Sequence, residues 1–165
     1  MIERTFESGL ATPTGGHAMH EDYMRRAIAA ARRSPQAPFG ALLVDASTGE
    51  TVAEGVNRWR ENPTWHGEID AINRCAAGRP AVDWSRLRLY TTAEPCCMCQ
   101  GAILWAGIPE VFFGTSIRTL IRLGWRQIDI TADEVVRRSD VSACRITGGV
   151  LEAECDALFE AAGRR

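Results

Sequence analysis

The amino-acid sequence predicts an α/β fold: a three-layer α/β/α sandwich around a central mixed sheet of about five strands. Short segments rich in β-branched residues alternate along the chain with segments whose apolar residues recur at helical spacing. Apolar residues make up 45% of the 165 residues, which is enough to fill one core, and no linker divides the chain. Residues 1–19 lack periodicity, so we expect a mobile N-terminal arm followed by one domain over residues 20–165.

The first part of this domain is predicted to hold a helix and a β-hairpin. Apolar residues share one helical face over residues 21–33, and the Ser-Pro pair that follows ends the helix. Two β-rich runs, FGALLVD and TVAEGVN, are separated by the turn residues ASTGE, which predicts an antiparallel pair. His17 and His20 lie in the predicted arm, and we expect both to be solvated.

The remaining elements alternate between helix and strand. A helix that begins near His66 should end at Gly78, and LRLYTT is the third strand. A helix over about residues 96–106 is apolar nearly all round and therefore buried, and EVFFGT is the fourth strand. One or two short helices, a fifth strand at ACRIT and a final helix in VLEAECDALFEAA complete the fold.

Charge and cysteine content narrow the functional classes. The chain has 19 Lys and Arg against 21 Asp and Glu, so no overall positive field attracts it to nucleic acid or anionic lipid. No apolar run approaches the roughly 20 residues needed to span a bilayer, and the first residues lack the apolar centre of a signal peptide. We therefore expect a cytoplasmic protein without membrane association. Six cysteines are too few for a disulfide scaffold, and their clustering indicates a metal site or catalysis.

Two short motifs carry the chemistry: HGE at residues 66–68 and PCCMC at residues 95–99. Each follows a predicted strand and opens a helix, so both should lie at the same edge of the sheet. Cys96 and Cys99 are three residues apart, which places both sulfurs on one helical face, whereas Cys97 is rotated away and should point into the packing. The spacing therefore selects Cys96 and Cys99 as the pair that can share an ion.

Zinc fits this donor set, with His66, Cys96 and Cys99 as the ligands. Three protein ligands leave a position for water, which is typical of catalytic rather than structural zinc sites. Glu68, two residues after His66, can take a proton from that water and give it to a leaving amine. A C-x-x-C alone also fits a redox pair or a structural zinc site, but H-x-E followed about thirty residues later by P-C-x-x-C is typical of zinc-dependent nucleobase deaminases.

With these motifs, the chain resembles the cytidine deaminase-like superfamily, in the branch of guanine deaminases and tRNA adenosine deaminases. The resemblance covers roughly residues 20–160 and rests on PFGALLVD, AEGVNRWRENPTWHGEIDAI, LYTTAEPCCMCQGAILWAGI and VFFGTS, in the family's order. It implies hydrolytic deamination, a Zn²⁺ cofactor, a homodimer, the three zinc ligands above and Glu68 as the proton shuttle. It also implies a base-binding Asn57, a Phe39 that packs on the base, and contacts from the backbone N–H groups of Ala93 and Glu94.

The substrate is predicted less sharply than the reaction. PFGALLVD and the Trp in AILWAG resemble guanine deaminase, and the acidic balance offers little for phosphate contacts, so a free nucleobase or nucleoside is favoured over tRNA. Guanine enzymes carry an acidic pair after an aromatic residue where this chain has Trp125, Arg126 and Gln127. The likeness in PFGALLVD and AILWAG makes a guanine-like purine our first expectation. The departure at Trp125, Arg126 and Gln127 leaves a related amino-purine, a pterin, a triazine or a cytosine-like ring open. Trp125 either stacks on the ring or belongs to the core, and Trp59 and Trp65 either wall the cavity or pack elsewhere.

Overall fold

The computed structural model describes residues 14–163, which form a five-stranded mixed sheet covered by helices. The prediction of an α/β fold with about five strands is confirmed. The elements in chain order are α1 (Thr14–Ala31), β1 (Gly40–Asp45), β2 (Thr51–Val56), α2 (Gly67–Gly78), a 3₁₀ turn (Trp84–Arg86), β3 (Leu87–Ala93), α3 (Cys97–Ala106), β4 (Glu110–Thr115), α4 (Ile117–Arg122), α5 (Ala132–Arg137), β5 (Arg145–Thr147) and α6 (Glu152–Ala162).

The strand order β2-β1-β3-β4-β5 determines where the site forms. Strand β1 is antiparallel to both β2 and β3, while β3, β4 and β5 are mutually parallel. Strands β2 and β3 therefore run in the same direction on either side of β1, and their carboxyl ends lie at one edge of the sheet. The helices that follow these two strands begin at that same edge.

Helices cover both faces of the sheet, as the alternation in β1 illustrates. Leu42 and Val44 point into a cluster with residues of α1, including Met24, whereas Ala41 and Leu43 point into a cluster with residues of α2 and α3. Successive side chains of a strand face opposite sides, so β1 is apolar throughout because both of its faces are covered. Within residues 14–163, no helix is both long enough and apolar enough to cross a membrane.

Helix α1 begins at Thr14, earlier than the sequence pattern predicts. The predicted arm over residues 1–19 is therefore too long, and its first thirteen residues lie outside the described part of the chain. Residues 16–19 of this extension are exposed and therefore show no apolar periodicity. Once the packed part of a helix has formed, each further residue adds a hydrogen bond at little cost. In this extension the Nε2 atom of His17 lies 3.4 Å from the carboxylate of Glu21.

The prediction that His20 is solvated is wrong. Its ring stacks on Phe112 with centroids 4.1 Å apart, and its Nδ1 lies 2.8 Å from the hydroxyl of Tyr90. Burial lowers the pKa of His20, with the nearby Arg88 acting in the same direction. His20 therefore fixes α1 to the face of the sheet, whereas His17 is exposed as expected.

Candidate metal centre and substrate cavity

The metal centre forms where the first residues of two helices meet. His66 is the N-cap of α2 and Cys96 is the N-cap of α3, and both have extended backbone angles. Helix α3 thus begins one residue later than predicted, and Cys96 precedes it while Cys99 lies in its first turn. Because β2 and β3 end at the same edge, the two N-caps are brought together there, as the motifs predict.

The donor atoms of His66, Cys96 and Cys99 form a compact triangle. The Nδ1 atom of His66 is 3.6 Å from each of the two sulfurs, and all three donor atoms lie within 4.8 Å of one another. Zn–S and Zn–N bonds of about 2.3 and 2.0 Å at a tetrahedral angle put nitrogen and sulfur about 3.5 Å apart. The triangle therefore fits a zinc ion, and the half-buried Cys97 lies outside it, as the spacing predicts.

The two ligand cysteines differ in the pKa of their thiols. The thiol of Cys99 donates toward Cys96 and, with help from His66, lowers the pKa of Cys96 to about 4. The hydrogen bond with Cys96 and burial raise the pKa of Cys99 well above its usual range. The pair thus offers one ready thiolate, and a bound dication displaces the remaining proton.

Glu68 lies inside the protein next to this triangle. It is 4% exposed and belongs to the first turn of α2. Burial raises the pKa of its carboxyl group, and the negative charge of Cys96 acts in the same direction. Its carboxyl group therefore stands in a water-poor environment beside the donor set.

Two glycines make this close arrangement possible, and the sequence pattern did not reveal them. A Cβ atom on Gly55 of β2 would lie 2.1 Å from the carbonyl oxygen of Gly67, and one on Gly67 would lie 2.7 Å from the carbonyl oxygen of Phe39. Only glycine lets the first turn of α2 approach the strands this closely. The middle residue of HGE is thus required by packing rather than by chemistry.

The donor set opens into a cavity of about 770 Å³. Of the substrate-binding residues predicted from the sequence, Phe39, Asn57, Glu94 and Trp125 contribute to its wall, as do the metal-site residues His66, Glu68 and Cys96. Residues that the sequence argument did not assign to the wall are Ala37, Pro63 and Ile128. The full lining consists of Ala37, Phe39, Asn57, Trp59, Pro63, His66, Glu68, Glu94, Cys96, Trp125, Arg126, Gln127 and Ile128.

Asn57 has a fixed orientation in this wall. It is 9% exposed, and its Oδ1 accepts a hydrogen bond from the backbone N–H of Trp59 at 2.9 Å. Its backbone N–H donates to the carbonyl oxygen of Phe39 at 3.0 Å. The side-chain amide nitrogen is therefore the part of Asn57 that can donate to a ligand.

The two predicted backbone contacts before the PCCMC motif are not available as expected. Ala93, the last residue of β3, is 1% exposed and is not among the described residues that line the cavity. The backbone N–H of Glu94 donates to the carbonyl oxygen of Thr115 at 2.7 Å, because the parallel pairing of β3 with β4 continues past Ala93. The prediction that the Glu94 N–H binds substrate is therefore wrong.

The side chain of Glu94 instead joins two helices. Its carboxylate accepts hydrogen bonds from the N–H groups of Ile117 at 2.9 Å and Ala132 at 2.8 Å. These are the first residues of α4 and α5, so one buried carboxylate holds both ends of the segment that carries Trp125. A carboxylate is stabilised at helix N-termini, where N–H groups lack intrahelical partners.

The tryptophans near the cavity differ in their roles. Trp125 is 6% exposed, donates its indole N–H to the carbonyl oxygen of Phe159 at 3.2 Å, and meets Phe39 edge-on at 5.5 Å. Trp125 is thus a core residue with one side on the cavity. Trp59 lines the mouth, but Trp65 is not part of the described lining and lies under the guanidinium of Arg58 at 4.5 Å.

Comparison with known proteins agrees with this geometry. Residues 17–115 match the family model described as the cytidine and deoxycytidylate deaminase zinc-binding region. A probable cytosine deaminase of Schizosaccharomyces pombe is 38% identical over 61% of this chain and 63% of its own length. A guanine deaminase of Bacillus subtilis is 34% identical over 70% of this chain and 80% of its own length.

Solved structures of related enzymes have the same fold. A structure of tRNA:A34 deaminases superposes with a TM-score of 0.69 at 25% identity, covering 83% of this chain and 98% of that one. The predicted fold, zinc cofactor and aminohydrolase class are confirmed at the level of the family, whose matched region contains His66, Glu68, Cys96 and Cys99. The chain therefore belongs to the zinc-dependent cytidine and deoxycytidylate deaminase family.

Proposed function

We propose that this protein hydrolytically deaminates a free nucleobase, a nucleoside or a related amino-heterocycle, with a guanine-like purine as the first expectation. The observation that carries this proposal is the buried Glu68 beside the donor triangle of His66, Cys96 and Cys99. Glu68 and two of the ligands, His66 and Cys96, line one cavity. Water replaces a ring-bound amino group by oxygen, and ammonia leaves. The volume of about 770 Å³ is ample for a purine or a nucleoside.

The residues divide the work of this reaction. His66, Cys96 and Cys99 would hold a zinc ion, which would act as a Lewis acid and lower the pKa of a bound water toward about 7. Glu68 accepts the proton of the attacking water and returns it to the departing nitrogen. The same carboxyl group therefore acts as general base and then as general acid. Its burial next to the donor set excludes bulk water from this exchange.

Two residues orient the ring. Asn57 donates from its side-chain amide nitrogen to a carbonyl oxygen or an unprotonated ring nitrogen, since its Oδ1 is already bonded to Trp59. Phe39 packs on the ring, since it lines the cavity beside His66, with the two side-chain rings at 19° and their centroids 6.5 Å apart. Trp125, which contacts Phe39 edge-on, bounds one side of the space that the substrate ring would occupy.

A tRNA-specific adenosine deaminase is the second candidate. It is supported by the likeness to the tRNA:A34 deaminases, and by the exposed pair of Trp59 and Arg60 near the cavity mouth, whose guanidinium lies 5.5 Å from the indole ring. The net charge of −2 argues against it, since contacts to phosphates depend on basic groups. Binding of unmodified tRNA that weakens steeply with salt would favour this candidate.

The deciding experiment is an ammonia-release panel with zinc-loaded protein. Purines, pyrimidines, their nucleosides, pterins, triazines and unmodified tRNA are tested side by side. Release from a small ring and not from tRNA is the expected result. Release from tRNA alone favours the second candidate. Release from no substrate contradicts the proposed function and favours a zinc-binding module without catalysis.

We also propose that the protein is a homodimer in which α3 contributes to the interface. Trp105 of α3 is 79% exposed, and a large exposed indole is typical of a protein contact surface. Trp105→Ala should shift the mass measured by light scattering from dimer to monomer. An unchanged dimer mass would exclude Trp105 from the interface. The cytoplasmic location stays a prediction.

A further inference from the structure

The cavity wall carries one positive side chain that no described carboxylate neutralises. Arg126 lines the cavity together with His66 and Glu68. Between residues 16 and 163 it has no salt-bridge or hydrogen-bond partner, whereas Arg58, which follows the lining residue Asn57 in the chain, is paired with Glu61 and Asp70. The charge of Arg126 is therefore available to a ligand in the cavity.

The acidic groups of the wall are already engaged. Both carboxylate oxygens of Glu94 accept backbone N–H groups, those of Ile117 and Ala132. Glu68 performs the proton transfer proposed above. Two thiolates balance the charge of a zinc dication, so the metal site itself adds no net charge to the cavity. Neither carboxylate is bonded to Arg126 in the part of the chain that the structure describes, so its guanidinium keeps its N–H donors for a ligand.

The backbone beside Arg126 is held in place. The neighbouring Trp125 is bonded through its backbone N–H to the carbonyl oxygen of Leu120 at 2.9 Å and through its indole to Phe159. Gln127, on the other side of Arg126, also lines the cavity and can donate through its amide. Arg126 thus stands on an anchored segment whose neighbours face the same space.

Resting on the proposed deaminase function, we propose that the substrate carries an anionic oxygen group and that Arg126 selects it. A guanidinium binds phosphate or carboxylate through two parallel hydrogen bonds, which a neutral ring cannot offer. The group is either a phosphate ester or a carboxylate on the ring. Arg126 is therefore a specificity-determining residue.

The test compares rings that differ only in the anionic group. Ammonia release is measured for pterin and pterin-6-carboxylate, guanosine and guanosine 5′-monophosphate, and cytidine and cytidine 5′-monophosphate. In at least one pair the anionic member should have the higher kcat/KM. In that pair, Arg126→Gln should lower the ratio of kcat/KM for the anionic member to kcat/KM for the neutral member by at least about fivefold. The first pair reports a ring carboxylate, and the other two report a phosphate ester.

Matched variants separate charge from structure. Arg126→Lys keeps the charge without the planar fork and should retain part of the ratio. Arg118→Gln removes another exposed arginine, in α4, that is not in the described lining, and it should leave the ratio unchanged. Added salt should reduce the ratio in the wild type but not in Arg126→Gln.

The outcomes distinguish this inference from the function on which it rests. Deamination confined to neutral rings, or a ratio that is the same in the wild type and in Arg126→Gln, overturns the inference and leaves the proposed function intact. No ammonia from any of these rings, or from free guanine and cytosine, overturns the proposed function and the inference together.

Discussion

Removal of the Glu94 carboxylate should destabilise the protein far more than removal of an ordinary glutamate. In Glu94→Ala, the N–H groups of Ile117 and Ala132 lose their acceptor, and both residues are fully buried. Each buried donor left without a partner costs about 1–3 kcal/mol. We therefore expect the free energy of unfolding to fall by about 4 kcal/mol, which corresponds to roughly 10 °C in the melting temperature for a chain of this size.

The assay is urea unfolding followed by circular dichroism, with three variants compared. Glu94→Gln keeps one acceptor oxygen and should lose about half as much as Glu94→Ala. Glu160→Ala removes an exposed glutamate of α6 and should stay within about 0.5 kcal/mol of the wild type. A Glu94→Ala protein within about 1 kcal/mol of the wild type would refute the reasoning, because the two N–H groups would then have found other partners.

Three further predictions concern the metal site and the fold. Cys97→Ser should keep one zinc per chain by elemental analysis while Cys96→Ser loses most of it, and equal zinc content in the two variants would contradict the ligand assignment. Gly55→Ala should lower the unfolding free energy by about 3 kcal/mol in a urea titration, because its Cβ would lie 2.1 Å from the carbonyl oxygen of Gly67. An unchanged unfolding free energy would show that α2 can move away from β2 without cost. The lowered pKa of His20 means that the unfolded chain binds the proton more tightly, so His20 stabilises the fold above its ordinary pKa of 6.5, and this contribution is lost as the pH falls through its lowered folded value. Part of the acid-dependent loss of stability should therefore be absent in His20→Phe, and identical pH profiles of unfolding for the two proteins would exclude this role.

The sequence was sufficient for those parts of the site that depend on local spacing. The spacing of Cys96 and Cys99 determines which sulfurs share a helical face. His66 precedes α2, the helix that follows β2, and β2 runs in the same direction as β3. The two N-caps meet because both strands end at one sheet edge, a rule that holds for any such sheet. These features could be predicted without knowing any distance.

Features that depend on contacts distant in sequence could not be predicted. The carboxylate of Glu94 bonds residues 23 and 38 positions away, and nothing in the sequence around it marks those partners. The same holds for His20, whose partner Tyr90 is 70 residues away. The early start of α1 was missed for another reason: an exposed helical turn needs no apolar residue, so hydrophobic periodicity cannot detect it.

The central claim is that Glu68 moves the proton in a reaction carried out at the site of His66, Cys96 and Cys99. Zinc content and ammonia release, measured on the same samples of wild type and Glu68→Ala, test it most directly. We expect both proteins to hold one zinc per chain, and Glu68→Ala to lose about a thousandfold or more in turnover. A Glu68→Ala protein that keeps its zinc and still releases ammonia at the wild-type rate would contradict the claim.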